Sequence, residues 1–507
     1  MMNQRYLVAL DQGTTSSRAV LFTMEGQIIA SSAYEFRQHY PQPGWVEHDP
    51  ADILSTQIEA LRSVLRQSGI SPSEIAAIGI TNQRETTILW DRKTGQPVYH
   101  AVVWQCRRTA PMVEKIEKAG YSDLIREKTG LKPDAYFSAT KIRWILDECG
   151  LQEKAENGDI CFGTVDSYLC WHLIQGHPHV TDATNASRTM LFNIRTQEWD
   201  DELLSLFRVP RALLPQVIDS AQYIGNLNQD ILGVPIPVTA IAGDQHAALF
   251  GQACFEKGMV KNTYGTGCFM LMNIGNECQL SRHGLITTTA WRLNGVPTYA
   301  LEGSVFIGGA AVQWLRDEMK LVQKASESEA IAKDIDGNSG VYLVPAFTGL
   351  GAPYWDMYAR GILVGLTRGT GAHHTVRAAL ESIAYQSADL LKAMSSDYGQ
   401  APASLRVDGG ASANRFLMQF QADIMNLQVQ RPAVLETTAL GAALLAGLGA
   451  RLFSSLSETA AGWHVQDSFS PVMPEEERSR LLRGWNRAVR TAEFWSGLTR
   501  EEELTDQ

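Results

Sequence analysis

Several short stretches of the chain combine residue types able to bind or transfer a phosphoryl group. The first is Asp11-Gln12-Gly13-Thr14-Thr15-Ser16-Ser17-Arg18, which separates two apolar runs of strand length. Its glycine permits a tight turn, and its hydroxyls and amides can converge on an anion. Arg18 adds a planar cationic fork, and Asp11 at the strand end can hold a hydrated Mg²⁺. In isolation the same residues are ordinary turn chemistry. A second stretch, Thr81 to Thr86, carries adjacent Arg84 and Glu85 just beyond an apolar run. An arginine there donates to a hydroxyl and a glutamate accepts from one, while a surface ion pair is the plainer alternative. Trp104, at the end of another apolar run, supplies either an apolar wall or core. Three later turns share this character: Gly243-Asp244-Gln245, Tyr264-Gly265-Thr266-Gly267-Cys268, and Asp408-Gly409-Gly410-Ala411-Ser412-Ala413-Asn414. The last joins a strand to a helix start, where Gly-Gly lets a base or phosphate touch the backbone.

The elements around these stretches are those of an α/β protein. Residues 5–37 read as three strands joined by turns, with Glu25-Gly26 at the second turn. Asp49 followed by Pro50 marks a helix start, Leu54, Ile58, Leu61 and Leu65 give it one apolar face, and Gly69 ends it. Residues 75–80, 237–242 and 405–407 read as strands running into the turns above. Residues 136–148, 376–394 and 416–425 read as helices, and Val312, Leu315, Met319 and Leu321 mark another. An Ala- and Gly-rich segment at 440–448 reads as a tightly packed helix. The acidic tail, with Glu475 to Glu477 and Glu501 to Glu503, reads as a solvated, partly helical end. A strand ending in Asp-Gln occurs at residue 11 and again at residue 244, which predicts two related α/β domains facing one another, divided near residue 250.

Composition bounds the function. The 507 residues exceed one ordinary core, and 45% apolar with 20% charged content fits a globular chain. A net charge of −11 argues against indiscriminate binding to nucleic acid or anionic membranes, so phosphate affinity must be local. There is no secretory signal and no stretch of membrane-spanning length, and seven scattered cysteines suggest reduced thiols; a cytoplasmic protein is expected. No Gly-Lys-Ser or Gly-Lys-Thr is present, which excludes a Walker-type loop, and no protein-kinase motif occurs.

Taken together, residues 11–18, 82–87, 104–109, 243–245, 262–269 and 408–410 resemble the glycerol-phosphorylating members of the FGGY carbohydrate kinase family, within the actin-like ATPase superfamily. Residues 136–148 and 361–381 also fit family signatures, the second with Thr375 where an apolar residue is usual. The resemblance implies two related actin-like (ribonuclease H-like) α/β domains with an interdomain cleft. Residues 1–250 would provide polyol binding and the phosphate hairpin, and 251–507 nucleotide binding. It also implies ATP and Mg²⁺ as partners of the reaction, glycerol as acceptor, and a homodimer or homotetramer. By motif position Arg84, Glu85, Tyr136, Asp244 and Gln245 would contact glycerol hydroxyls, and Trp104 and Phe269 its carbon edge. Thr14, Thr15, Ser16, Arg18 and Thr266 would face the phosphates. Gly309, Gln313, Gly410 and Asn414 would line the nucleotide site, Asp11 would lie near the metal, and Asp244 would act as general base. Kinases of other polyols or ketoses, such as erythritol or xylulose, and non-kinase actin-like ATPases are the competing readings. Residues 226–237 lack the Gly-rich basic loop that some members use for fructose 1,6-bisphosphate.

Overall fold

The computed structural model describes residues 5–505. Two mixed sheets form the centres of two lobes. In the first, Tyr6–Gln12, Ile75–Asn82 and Pro237–Gly243 run parallel side by side. Ser16–Thr23 and Ile28–Glu35 continue the sheet as antiparallel hairpins on one flank, and Ala221–Asn226 closes the other. All eight residues of Ile75–Asn82 are buried, as a central strand covered on both faces requires. The second sheet repeats the plan. Val260–Tyr264 lies parallel to Ser404–Asp408 and antiparallel to Cys268–Gly275, with Val296–Val305 and Ile286–Leu293 beyond.

The strand-Asp-Gln repeat therefore has a different meaning from the one expected. Pro237–Gly243, which reads as the opening of a second half, is the third parallel strand of the first sheet, adjacent to Ile75–Asn82. The counterpart of the first hairpin is Val260–Tyr264 with Cys268–Gly275.

Alternation along Tyr6–Gln12 explains what covers the first sheet. Val8 and Leu10 join the cluster containing Ile53, Leu61 and Val64 of the helix Pro50–Ser68. Leu7 and Ala9 join Ala439, Ala442 and Ala446 of the helix Thr437–Gly449. That second helix comes from the far end of the chain. It packs on the first sheet, while the helix Asp244–Gly251, which follows the first sheet in sequence, packs on strands of the second. The two helices cross in close contact. A Cβ on Gly441 would stand 1.8 Å from the Ala247 carbonyl oxygen, and one on Gly251 2.0 Å from that of Thr437, so glycine is required at both.

The helix Pro50–Ser68 has Asp49 as its N-cap, accepting from the Ala51 amide at 2.9 Å, and Gly69 in the left-handed conformation at its end, as the local signals require. Two expectations fail. The helix after Gly308-Gly309 is Ala310–Asp317 only, so Met319 and Leu321 lie beyond it, and Met319 is 45% exposed. The acidic tail is not merely solvated: Glu475–Thr505 is one helix that buries Leu481, Trp485, Ala488, Val489 and Ala492 in the second lobe's core. No helix among the described residues is long and apolar enough to cross a membrane.

Candidate active site

Register brings the first sheet's turns to one level. Asp11 pairs with Thr81 and Gln12 with Asn82 on one side, and Gly243 pairs with Asn82 on the other. Asp11, Arg84 and Asp244 thus leave neighbouring strands at the same carboxyl edge, where open α/β sheets bind ligands. Gly243 makes this possible, because a Cβ there would sit 2.7 Å from Cδ of Arg84. The arginine stem lies against that glycine, and its Nε reaches Asp244 Oδ1 at 2.9 Å.

Arg84 and Glu85 are not a surface ion pair. They are 3% and 1% exposed and belong to a buried network with Arg188 and Glu302, both 0% exposed. Arg84 Nη1 and Nη2 donate to Glu302 at 2.6 and 2.9 Å. Arg188 Nε donates to Glu85 Oε1 at 2.6 Å, and its Nη atoms reach Glu302 at 3.3 and 3.1 Å. Burial opposes ionisation of Glu302, but the Arg188 and Arg84 guanidiniums outweigh it and hold the carboxyl far below its ordinary range. Burial also pushes the Glu85 carboxyl up, with Arg188 and Arg84 opposing. Glu85 sits at φ 60°, a left-handed conformation costing about 1–3 kcal/mol for a residue with a side chain. Its carbonyl is held by the hydroxyls of Thr87 at 3.0 Å and Ser138 at 3.1 Å.

Beside this network stands an apolar wall. The Trp104 ring meets Tyr136 edge-on at 5.6 Å and Phe269 at 6.4 Å, and the Arg84 guanidinium lies 5.9 Å from the Phe269 ring. Trp104 is half-buried, and its Nε1 donates to Thr14 Oγ1 at 3.0 Å, joining the wall to the first turn. Burial and the Glu85 charge push the Tyr136 hydroxyl upward, so it remains a neutral phenol. Gln245 caps Asp244 from its own backbone, its amide donating to Oδ1 at 2.7 Å. The Gln245 side-chain oxygen accepts from Lys261 Nζ at 2.6 Å, and that ammonium also donates to Thr263 Oγ1 at 2.9 Å. Burial lowers the Lys261 pKa to about 8, with Asp408 opposing.

The second sheet presents a matching edge. Thr263 is level with Asp408, and Gly409, at φ 83°, lies so close that a Cβ would stand 2.6 Å from the Tyr264 carbonyl oxygen. Amides of Gly308 and Ala310 donate to the Thr266 carbonyl at 2.8 and 3.1 Å, and Gly309 donates to Gly265 at 2.9 Å. Thr266, Gly309 and Gly410 therefore share one edge, while Thr15, Thr266, Gln313 and Gly410 are exposed. Ser16 is half-buried in the first hairpin. Two expected phosphate or nucleotide side chains are occupied otherwise. Arg18 pairs with Glu436, the residue before the helix Thr437–Gly449, and Asn414 caps the helix Arg415–Met425, its Oδ1 accepting from Leu417 at 3.0 Å. A separate cavity of about 570 Å³, lined by Arg107, Asp134, Phe306 and Trp355 among others, includes none of these site residues.

Sequence reasoning missed Arg188, Glu302 and Lys261. Glu302 leaves a trace, since it is a lone carboxylate in the apolar strand Val296–Val305, seven of whose ten residues are buried. Arg188 belongs to no motif and is recognisable only by its partners.

The comparisons agree with this geometry. The model of the FGGY family of carbohydrate kinases, N-terminal domain, matches residues 6–251, and that of the C-terminal domain matches 260–450. A glycerol kinase of Symbiobacterium thermophilum is 58% identical over 98% of this chain and 100% of its own, and one of Caldanaerobacter subterraneus is 57% identical over 97% and 99%. A crystal structure of Plasmodium falciparum glycerol kinase with ADP superposes with a TM-score of 0.89 at 36% identity, covering 96% of this chain and 98% of that one. A xylulose kinase from Lactobacillus acidophilus, 22% identical with a TM-score of 0.86 over 96% and 98% of the two chains, shares the fold. With two actin-like lobes, both domain models and full-length relatives in agreement, the chain belongs to the FGGY family of carbohydrate kinases.

Proposed function

We propose that the protein transfers the γ-phosphoryl group of ATP to a terminal hydroxyl of glycerol, giving sn-glycerol 3-phosphate and ADP. The observation that carries this reading is Asp244, a 30% exposed carboxylate beside buried Arg84 and next to a small wall of Trp104, Tyr136 and Phe269. A three-carbon triol needs that combination of paired donors and acceptors with one apolar side. Names of relatives near 57% identity over almost the whole chain point the same way.

In the proposed mechanism Arg84, Glu85, Tyr136 and Gln245 orient the hydroxyls. Asp244 accepts the proton of the attacking one as its oxygen bonds to phosphorus and the bridging oxygen leaves with ADP. Thr14, Thr15, Ser16 and Thr266 donate to the phosphates from the two facing hairpins. Arg18 joins them once it releases Glu436. Gly309, Gln313 and Gly410 line the nucleotide, and Asn414 contributes through the turn that it stabilises.

Asp11 fits a divalent cation. Burial raises its carboxyl to about 7 against the opposing charge of Arg18, with Glu436 and Asp244 adding negative charge nearby that a cation would offset. No group of three or more acidic, His or Cys side chains among the described residues could hold a metal, so most ligands would be phosphate and water, as suits Mg²⁺. Bound there, Mg²⁺ would neutralise charge on the phosphate oxygens.

The division into residues 1–250, with the polyol site and the phosphate hairpin, and 251–507, with the nucleotide site, belongs to the same reading, with Phe269, Glu302 and the crossing helix Thr437–Gly449 as exceptions. So do a cytoplasmic location, in keeping with seven unpaired cysteines, and self-association as a dimer or tetramer, which light scattering tests. The decisive experiment is ADP release across glycerol, erythritol and xylulose. Turnover should rise steeply with glycerol, and ATP hydrolysis indifferent to added polyol would refute the reading.

A further inference from the structure

Glu302 and Arg188 hold two charged side chains of the acceptor pocket, Arg84 and Glu85, although no motif contains them. Arg84 carries five N–H groups. Its Nε lies 2.9 Å from Asp244 Oδ1 as an ion pair without hydrogen-bond alignment, and one hydrogen on each Nη is taken by Glu302 at 2.6 and 2.9 Å, which leaves the Nε–H and one N–H on each Nη. Glu85 gives Oε1 to Arg188 at 2.6 Å, and no hydrogen bond to its Oε2 is formed among the described residues. Arg84 thus keeps N–H donors, and Glu85 one carboxylate oxygen, that the network leaves unused. Water has little access, since Arg188 and Glu302 are 0% exposed.

This arrangement needs both partners. Without Glu302, the Arg84 fork is free to swing onto Asp244, which it already touches through Nε, and to close a bidentate pair over the general base. Without Arg188, the buried Glu85 carboxyl loses the donor to its Oε1 and the larger of the two guanidinium charges that oppose the effect of burial. Glu302 stands on the second lobe's strand Val296–Val305, and the other three residues belong to the first lobe. The acceptor pocket is therefore assembled across the lobes.

We propose that Glu302 and Arg188 are positioning residues that determine which hydrogen-bonding groups Arg84 and Glu85 present, and so select an acceptor with two adjacent hydroxyls. The inference rests on the acceptor reading above. It is tested with Glu302→Gln, Glu302→Asp and Arg188→Lys in the full chain. The measurements are KM for glycerol and for ATP, kcat, ADP affinity by calorimetry, thermal unfolding, and relative turnover of 1,2-propanediol and 1,3-propanediol. Glu302→Gln and Arg188→Lys should raise glycerol KM roughly 30-fold or more, the scale of a lost charge-assisted contact, and narrow the preference for the 1,2-diol. Glu302→Asp should lie between them and wild type, while KM for ATP and ADP affinity stay within about threefold. If Glu302→Gln does not fold, the two charge-keeping variants carry the test. Glycerol KM within about threefold of wild type in every folded variant, or equal rises in both KM values with unchanged diol preference, would overturn the inference. Wild-type protein without glycerol-dependent turnover overturns the acceptor reading too, whereas active wild type with unaltered variants overturns this inference alone.

Discussion

The two ends of the cleft are built in opposite ways. At the proposed acceptor end Arg84, Glu85, Arg188 and Glu302 are buried and mutually paired, with Glu302 on the strand Val296–Val305 and Arg84 and Glu85 just beyond the strand Ile75–Asn82. At the proposed nucleotide end Thr15, Thr266 and Gly410 are exposed on turns, Gln313 is exposed on the helix Ala310–Asp317, and Arg18 is tied to Glu436 instead of facing an anion. A small triol offers few contacts, so its site must be preorganised for those few to discriminate. A nucleotide offers many, so a looser, more exposed set of contacts is enough to hold it.

The largest effect that bears on this contrast is expected at Asp244. Asp244→Asn should lower kcat by about 10²- to 10⁴-fold, and turnover within about tenfold of wild type would show that the rigid end does not supply the base. Next comes the helix crossing that joins the ends. Gly441→Ala places a Cβ against the Ala247 carbonyl and should reduce stability by about 1–3 kcal/mol in urea unfolding. An unchanged midpoint would mean that the crossing yields more readily than the acceptor pocket. On the open side, Thr266→Ala removes one donor among many. ATP KM should rise only about 2- to 10-fold with glycerol KM unaffected, and a larger loss would erase the distinction between the ends. Smallest is Glu436→Gln, which frees Arg18 from a partly exposed pair worth about 0.2–1 kcal/mol and should lower ATP KM about twofold at low salt. A rise in ATP KM instead would make the pair part of the nucleotide site's structure.

Local chemistry was readable and long-range pairing was not. The helix after Asp49-Pro50 could be bounded from sequence because its cap, first-turn proline and terminal glycine act within a few residues. The turns at 11–18 and 264–268 were likewise visible as glycine and hydroxyl clusters. Arg84 and Glu85 could be marked as donor and acceptor, but not their partners. Glu302 lies 218 residues from Arg84, and nothing local to either reports the other. The strand before Asp244 illustrates the same limit. Its pattern identified a strand correctly, while its sheet was decided by packing beside Ile75–Asn82. For residues 440–448, small-residue content predicted tight packing without revealing which lobe the helix Thr437–Gly449 would serve.

That exchange of helices has a consequence for how the protein is made. The last strand of the first sheet, Pro237–Gly243, leaves the ribosome well before Thr437–Gly449, the helix that shields Leu7, Ala9 and Ala77. At synthesis rates of roughly 5–20 residues per second the nascent sheet waits about 10–40 s with one greasy face open, a window in which chaperones rather than the finished fold must keep it from sticking to its neighbours.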